Sequence, residues 1–133
     1  MNPVITKNGH KYWYDSDGEL HREDGPAMET IDGTKAWCFH GQFHRKNGPA
    51  IEFSDGHIQW LVHGKLHRED GPAAEWPDRC KMWSLNDKAH REDGPALELG
   101  NGDVYYCLEN ICYSEEEYLE KIKELKPLTL RDG

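Results

Sequence analysis

The sequence lacks a long hydrophobic run and lacks an excess of positive charge. No apolar stretch approaches 18 residues, so neither a membrane-spanning helix nor a secretory leader is expected. Hydrophobic residues make up 36% of the 133 residues, and the formal net charge is −9. Because phosphate binding depends on Lys and Arg, direct binding of nucleic acid or of an anionic membrane is not expected. We expect a cytoplasmic protein whose partner has a basic or mixed surface.

Cysteine is scarce and carries no metal-ligand spacing. The four cysteines form no Cys-x-x-Cys pair, and the nearest two, Cys107 and Cys112, are five residues apart. Without a secretory leader we expect reduced thiols, because disulfides persist mainly in oxidising compartments. Cys38 and Cys107 are expected to be small packing residues. No cofactor and no metal are predicted.

What the sequence does contain is a repeat. The string His-Arg-Glu-Asp-Gly-Pro-Ala begins at His21, His67 and His90, and a variant with Lys-Asn in place of Glu-Asp begins at His44. A fixed period of 23 residues predicts one supersecondary unit stacked on itself. The predicted divisions are a partial N-terminal cap at residues 1–20, repeats at 21–43, 44–66, 67–89 and 90–112, together making a 1–112 array, and a helix with a tail at 113–133.

Each repeat has the pattern of a β-hairpin. Asp-Gly or Asn-Gly turns stand between segments of alternating polarity in three repeats, and this is a strong hairpin signal. The third repeat has Asp78-Arg79 after Pro77 instead, which predicts a looser turn. The second strand places Trp37, Trp60 and Trp83 on the face richer in apolar residues. The predicted fold is all-β, an elongated open antiparallel sheet of 23-residue hairpins.

The C-terminal segment has the pattern of a capping helix. Ser114 and Glu117 form a capping-box pair that opens a helix through about Lys126, which Pro127 ends. An apolar stripe along this helix is expected to cover the last hairpin. The stripe consists of Tyr118, Leu119, Ile122 and Leu125.

The repeat resembles a divergent MORN repeat. The resemblance lies in the 23-residue period, the Gly-x-x-His turns at 41–44 and 64–67, and the aromatic four residues before each of those glycines. It is similar in particular to the His-Arg-Glu-Asp-Gly-Pro-Ala repeats of bacteriophage and bacterial proteins. The resemblance implies a MORN-like sheet that serves as an interaction scaffold. In a phage it implies an inhibitor of a host defence protein or enzyme, acting in the host cytoplasm.

Residues present in every copy are interpreted as parts of the scaffold. Adjacent residues of an extended segment point in alternating directions, so His, Glu and Asp of the motif cannot converge on one metal ion. We expect each Arg to pair with a fixed Glu, so that two columns of charge interlock within the array. The repeated positions are His21, His44, His67 and His90; Arg22, Arg45, Arg68 and Arg91; Glu29, Glu52, Glu75 and Glu98; and Trp37, Trp60 and Trp83.

Functional specificity is expected where the repeats differ. Lys46 and Asn47 replace Glu-Asp in the second copy. In the third copy Trp76, Asp78 and Arg79 accompany an irregular turn, where an added aromatic residue is either an interface anchor or a packing residue. His40 and His63 share one repeat position. They are a pH-responsive pair, a metal-binding pair or ordinary polar residues beside a turn.

The leading functional hypothesis is a non-enzymatic protein-binding module. No nucleophile, base and orienting group occur together once, so an enzyme is not expected. One alternative is an acidic mimic of nucleic acid that blocks a DNA- or RNA-binding enzyme. Another is a protein that sequesters nucleotides or small molecules, with the arginine column in a groove at a homodimer interface.

Overall fold

The computed structural model describes residues 2–125, which form β-hairpins in a long antiparallel open sheet followed by one helix. The predicted fold class is therefore confirmed. In chain order the elements are β1 (Val4–Ile5), β2 (Lys11–Tyr12), β3 (Met28–Glu29), β4 (Lys35–Ala36), β5 (Cys38–Phe39), β6 (Gln42–Phe43), β7 (Ile51–Glu52), β8 (Ile58–Gln59), β9 (Leu61–Val62), β10 (Lys65–Leu66), β11 (Ala74–Glu75), β12 (Lys81–Met82), β13 (Ser84–Leu85), β14 (Lys88–Ala89), β15 (Leu97–Glu98), β16 (Val104–Leu108), β17 (Ile111–Tyr113) and α1 (Glu115–Leu125).

Each repeat adds two strands to the long sheet. Over the described residues the strand order is β1-β2-β3-β4-β7-β8-β11-β12-β15-β16-β17. The remaining strands form a second small hairpin in each of the first three repeats, β5 with β6, β9 with β10, and β13 with β14. Neighbouring repeats meet edge to edge, as β4 and β7 do. No helix among the described residues has the length and apolar character needed to cross a membrane.

A lysine faces a fixed glutamate at three of the four junctions between units, whereas Ile58 faces Glu75 at the junction of the second and third repeats. In the strand register Glu29 faces Lys11 on one side and Lys35 on the other, and Lys35 also faces Glu52. Lys81 lies between Glu75 and Glu98 in the same way. Opposite charges at facing positions stabilise a strand pair, whereas like charges destabilise it. The lysines therefore help to fix the register between repeats.

The first turn has the same geometry in all four repeats. In the third repeat Trp76 N–H donates to the Cys80 carbonyl at 3.0 Å, and Arg79 N–H donates to the Trp76 carbonyl at 3.1 Å. The other three turns form the equivalent bonds. Arg79 has a φ of 77°, the left-handed conformation that glycine has in the other three turns. The prediction of a looser third turn is wrong, because Arg79 accepts the glycine conformation.

The core is a narrow layer of small side chains. Ala27, Ala50, Ala73 and Ala96, one per repeat, are fully buried. Ala36 and Cys38 are buried, whereas Trp37 between them is only half-buried. The expectation that the tryptophan side of the second strand is the richer packing face is wrong for this reason. The strand is interrupted at the tryptophan, so alternation does not continue through it.

The C-terminal helix begins as predicted. Glu117 N–H donates to Ser114 Oγ at 3.2 Å, and the Ser114 hydroxyl donates to the Glu117 carboxylate at 3.2 Å. Tyr118 and Ile122 are buried against Leu108. The predicted apolar stripe is wrong at two positions, since Leu119 and Leu125 are 50% and 56% exposed. The predicted end at Lys126 and Pro127, and the tail, lie outside the described residues.

Two cysteines differ from expectation. Cys107 and Cys112 form a disulfide, which corrects the prediction of reduced thiols at these positions. They face each other across the β16–β17 hairpin. Cys38 and Cys80 are free. Burial raises the pKa of the Cys38 thiol to about 11, so Cys38 is an unreactive packing residue, as expected.

Candidate partner-binding surface

The repeats are joined by arginine side chains stacked on tryptophan rings. The guanidinium carbon of each arginine lies 3.8 to 4.0 Å from the ring centroid of the tryptophan in the preceding unit. Stacking of this kind combines cation–π attraction with burial of an aromatic face. It accounts for the half-buried Trp37, Trp60 and Trp83 outside the alanine core, and Trp13 is buried in the same arrangement. The pairs are Arg22 on Trp13, Arg45 on Trp37, Arg68 on Trp60 and Arg91 on Trp83.

The arginines also fix the loop that contains them. Each donates from Nη1 at 3.1 Å to the carbonyl of the proline four residues later. A Cβ on the intervening glycine would lie 2.8 to 2.9 Å from the guanidinium carbon, so a larger residue would displace the arginine. The predicted contact with the fixed glutamate is present for Arg22, Arg45 and Arg91, at 3.8, 3.3 and 3.3 Å. Within residues 2–125, Arg68 and Glu75 form no such pair.

The repeated histidines hold the second turn. Nδ1 of each accepts the backbone N–H of the residue nineteen positions later, at 2.9 to 3.0 Å, in all four repeats. The residues that donate this N–H all have φ between 45° and 50°. This bond assigns the neutral histidines to the tautomer protonated at Nε2. Four identical bonds to backbone support the scaffold interpretation of His21, His44, His67 and His90.

At the C-terminal end a tyrosine takes the place of the next arginine. The Tyr118 ring lies 5.0 Å from the ring of Tyr106, which has the tryptophan position of the last repeat. The Tyr118 hydroxyl donates to the carbonyl oxygens of Arg91 and Gly94. Burial raises the pKa of Tyr118, which favours its role as a donor. The sequence prediction identified Tyr118 as a capping residue but not this substitution for an arginine.

The tips of the repeat loops form an exposed row of charge, named here the loop ridge. It consists of residues 23–24, 46–47, 69–70 and 92–93. Its six acidic side chains are between 55% and 88% exposed. In three repeats the aspartate of the pair accepts a bond from arginine Nε at 2.9 to 3.1 Å. The ridge therefore presents defined carboxylates on ordered supports.

The structure separates the residues predicted to bind a partner into two groups. Lys46 and Asn47 are exposed on the loop ridge. Trp76, Asp78 and Arg79 lie at the first turn of the third repeat, at the opposite end of the strands. The sequence prediction did not distinguish these two locations, because order along the chain does not show which end of a strand a loop occupies.

Trp76 has the contacts of a packing residue. Its ring is stacked on His57 with a centroid distance of 4.7 Å, and His57 is stacked on Phe53 at the same distance. Trp76 is half-buried, whereas Asp78 and Arg79 beside it are exposed. Burial lowers the pKa of His57, which favours its neutral, stacked form. This geometry favours packing over an interface anchor for Trp76.

Among the described residues, two groups of side chains have ligand types that suit a metal, with ligating atoms within 4.8 Å of one another in each. One is the exposed acidic set Asp15, Asp17 and Glu19, and the other, with two histidines, is Asp15, His21 and His40. The two imidazole rings are stacked with centroids 4.0 Å apart and an interplanar angle of 21°. Imidazole lone pairs lie in the ring plane, so nearly parallel stacked rings cannot direct them at one ion. His40 Nδ1 lies 2.8 Å from Asp15 Oδ2, and this bond is the main cause that lowers the pKa of Asp15. The group is a hydrogen-bonded cap on the first repeat.

Comparisons of the chain with protein-family models, with curated proteins and with solved structures found no match.

Proposed function

We propose that this protein is a non-enzymatic protein-binding module that contacts its partner through the loop ridge. The observation that carries the proposal is the contrast between the ridge and its support. The arginine, histidine and glycine of each loop are engaged in the scaffold, while the pair at its tip, acidic in three loops and Lys46-Asn47 in the second, is exposed. The same residues cannot serve as free catalytic groups without loss of the scaffold, which supports the absence of an enzymatic role.

The ridge has a charge pattern that can set the register of a partner. In repeats one, three and four, residues 1 to 9 of the unit hold one arginine and three acidic residues, a formal charge of −2. In the second repeat the same stretch holds Arg45, Lys46 and one acidic residue, Glu52, a charge of +1. With two strands per repeat, successive tips are about 10 Å apart. A partner surface with patches in the order basic, acidic, basic and basic at this spacing can pair with the four loops in one alignment only.

A protein partner suits this pattern better than mimicry of nucleic acid. Duplex DNA carries about one negative charge per 1.7 Å of its axis. The ridge carries far less, since Asp24, Asp70 and Asp93 are each bonded to an arginine and the second repeat is positive. All four repeat arginines are stacked on tryptophan and held by their loops, and in three of them Nε is bonded to an aspartate. The column therefore does not present a row of free guanidinium groups to nucleotides. The phage-encoded inhibitor implied by the family resemblance stays a prediction.

The proposal is tested by affinity capture with ridge variants. The double variant Glu69→Lys/Glu92→Lys changes two exposed ridge residues and should abolish retention of a protein that the parent chain retains from cell lysate. Retention should also fall when salt rises from about 0.05 to 0.5 M, because exposed charge pairs are screened. Retained proteins are identified by mass spectrometry and then measured as purified partners by calorimetry.

The matched control changes charge at the other end of the strands. Asp55→Lys/Asp103→Lys changes two exposed acidic residues to lysine at the first turns of the second and fourth repeats, as the ridge variant does at the loops, and should leave retention unchanged. Equal loss with this control and with the ridge variant would reduce the effect to net charge and would overturn the assignment of the ridge. Binding of purified duplex DNA or RNA by the parent chain would contradict the protein-partner class.

A further inference from the structure

The second repeat contains a gap that the other three repeats fill with their own carboxylate. Arg22, Arg68 and Arg91 donate from Nε to the aspartate two residues later at 3.1, 3.0 and 2.9 Å. In the second repeat that aspartate is replaced by Asn47. Arg45 keeps its bonds from Nη1 to the Pro49 carbonyl and to Glu52. Among residues 2–125, Arg45 Nε has no hydrogen-bond partner.

The guanidinium of Arg45 is nevertheless held in the same position as the others. It lies 3.8 Å from the centroid of Trp37, and its side chain is 30% exposed, against 21% to 23% for the other three arginines. Its Nε donor is therefore oriented by the scaffold and accessible. A donor held in place before binding loses little conformational freedom when a ligand arrives.

The second loop favours a negative ligand at the gap. A groove of about 780 Å³ lies between the first and second loops; Arg45, Lys46 and Asn47 line it from the second loop, and Glu23 and Asp24 line it from the first. Lys46 is exposed and forms no ion pair with the described residues. The equivalent groove between the third and fourth loops is lined by Glu69, Asp70, Glu92 and Asp93 in addition to its arginines. The first groove thus has a positive wall from the second loop opposite an acidic wall from the first, whereas both walls of the other groove carry carboxylates.

We propose that the second repeat is a carboxylate-binding site, in which an acidic side chain of the protein partner accepts the Arg45 Nε–H and lies beside Lys46. The other three repeats supply the geometry, with a carboxylate oxygen about 3.0 Å from Nε. The site rests on the proposed function, because its ligand is a side chain of the protein partner. It would align the acidic patch of the partner with the second repeat. Charge-assisted bonds of this kind are the stronger class of hydrogen bond.

The site is tested on the protein alone by NMR of the arginine Nε–Hε groups. The probe is a tetraglutamate peptide with blocked termini, and tetraglutamine is its neutral control. Tetraglutamate should shift Arg45 Nε–Hε in the millimolar range expected of one exposed contact, and shift the other three arginines much less. Inorganic phosphate is a separate arm, and tighter binding of phosphate than of tetraglutamate would overturn the carboxylate assignment.

Two variants make the test specific. Asn47→Asp restores the carboxylate of the other repeats and should weaken tetraglutamate binding by about tenfold. The double variant Glu69→Lys/Asp70→Asn copies the site into the third repeat and should make Arg68 Nε–Hε respond to the peptide. An unchanged Arg45 titration in Asn47→Asp would sink the proposal. The titration contains no partner protein. A negative titration would therefore not contradict ridge-dependent capture, and a negative capture experiment would not contradict the titration.

Discussion

The second and third repeats depart from the common pattern at opposite ends of the repeated hairpin unit. The second has Lys46 and Asn47 at the loop ridge, and the third has Arg79 at the first turn. The ridge change leaves the arginine stack in place at 3.8 Å, alters the charge and removes the carboxylate that accepts arginine Nε–H in the other repeats. The turn change keeps the backbone bonds but places a side chain at positive φ. The ridge end accepts a change of side chain without backbone strain, whereas a residue other than glycine at the first turn takes a strained positive φ.

The difference shows where this fold can carry specificity. Three ridge aspartates accept bonds from arginine Nε, but the second repeat keeps its arginine stack without such a bond, so the ridge residues can change with little effect on the scaffold. The turn residues are part of the bonds that close the hairpin. We therefore expect variants at the joint between repeats to have the largest effect on stability, variants at the turn a smaller effect, and variants at the ridge the smallest.

Loss of the joint between the second and third repeats should have the largest effect. Trp60→Ala removes the ring that supports Arg68 and should lower the free energy of unfolding by about 3 kcal/mol, since a large aromatic surface and a cation–π contact are lost together. Urea unfolding followed by circular dichroism measures the change.

The matched control is Trp76→Ala in the third repeat. The equivalent position holds Thr30, Phe53 and Leu99 in the other repeats, so the scaffold accepts a small residue there, and the loss should be about 1 kcal/mol. The tryptophan position, in contrast, is aromatic in every unit. A larger loss for Trp76→Ala than for Trp60→Ala would invert the comparison.

An exchange of residues at the first turn should have an intermediate effect. Arg79→Gly removes the side chain from a φ of 77° and should raise the free energy of unfolding by about 1 kcal/mol. Gly102→Arg places the same side chain in the fourth turn, where a Cβ meets no atom within 4 Å, and should lower stability by a similar amount. Thermal unfolding of both variants measures the pair, and changes of the same sign in both would contradict the strain argument.

The sequence predicted the order of the elements better than their burial. The period, the turns and the Ser114 cap are local patterns, and the structure has them. Burial of Ala36 was missed, although Cys38 on the same face was expected to pack, because alternation shows which residues share a face but not which face an arginine of the next repeat will cover. Which face is covered depends on the stacking of Arg45 on Trp37. The two residues lie in different repeats, and neither residue alone shows that they stack.

Other features had a signal that the repeat could have supplied. Residues 18 and 23 of each unit face each other across the second hairpin, as Cys38 and Phe43 do. The last repeat places Cys107 and Cys112 at those positions, so the disulfide follows from the register once the hairpin is known. The gap at Arg45 Nε has no such signal, since the sequence does not show that the aspartate is bonded to arginine.

The smallest expected effect concerns the charge at the ridge and the histidine beside it. Burial lowers the pKa of His44, and the nearby His63 and Lys46 lower it further. Since the usual value is 6.5, the unfolded chain binds a proton there more readily than the folded one. The free energy of unfolding should therefore fall as the pH drops below about 6.5 through the lowered value, and this contribution should be absent above it.

Lys46→Glu tests this cause without a change in the scaffold. It gives His44 the neighbour that His90 has in Glu92, whose carboxylate lies 3.0 Å from Nε2. The pKa of His44 should rise, so that the acid loss of stability becomes smaller than in the parent chain. Histidine NMR titration gives the first quantity, and urea unfolding at pH 7.5 and 5 gives the second. If Lys46→Glu left the pKa of His44 unchanged, the charge of residue 46 would not be a cause of the lowered pKa. Burial and His63 would then be the remaining causes.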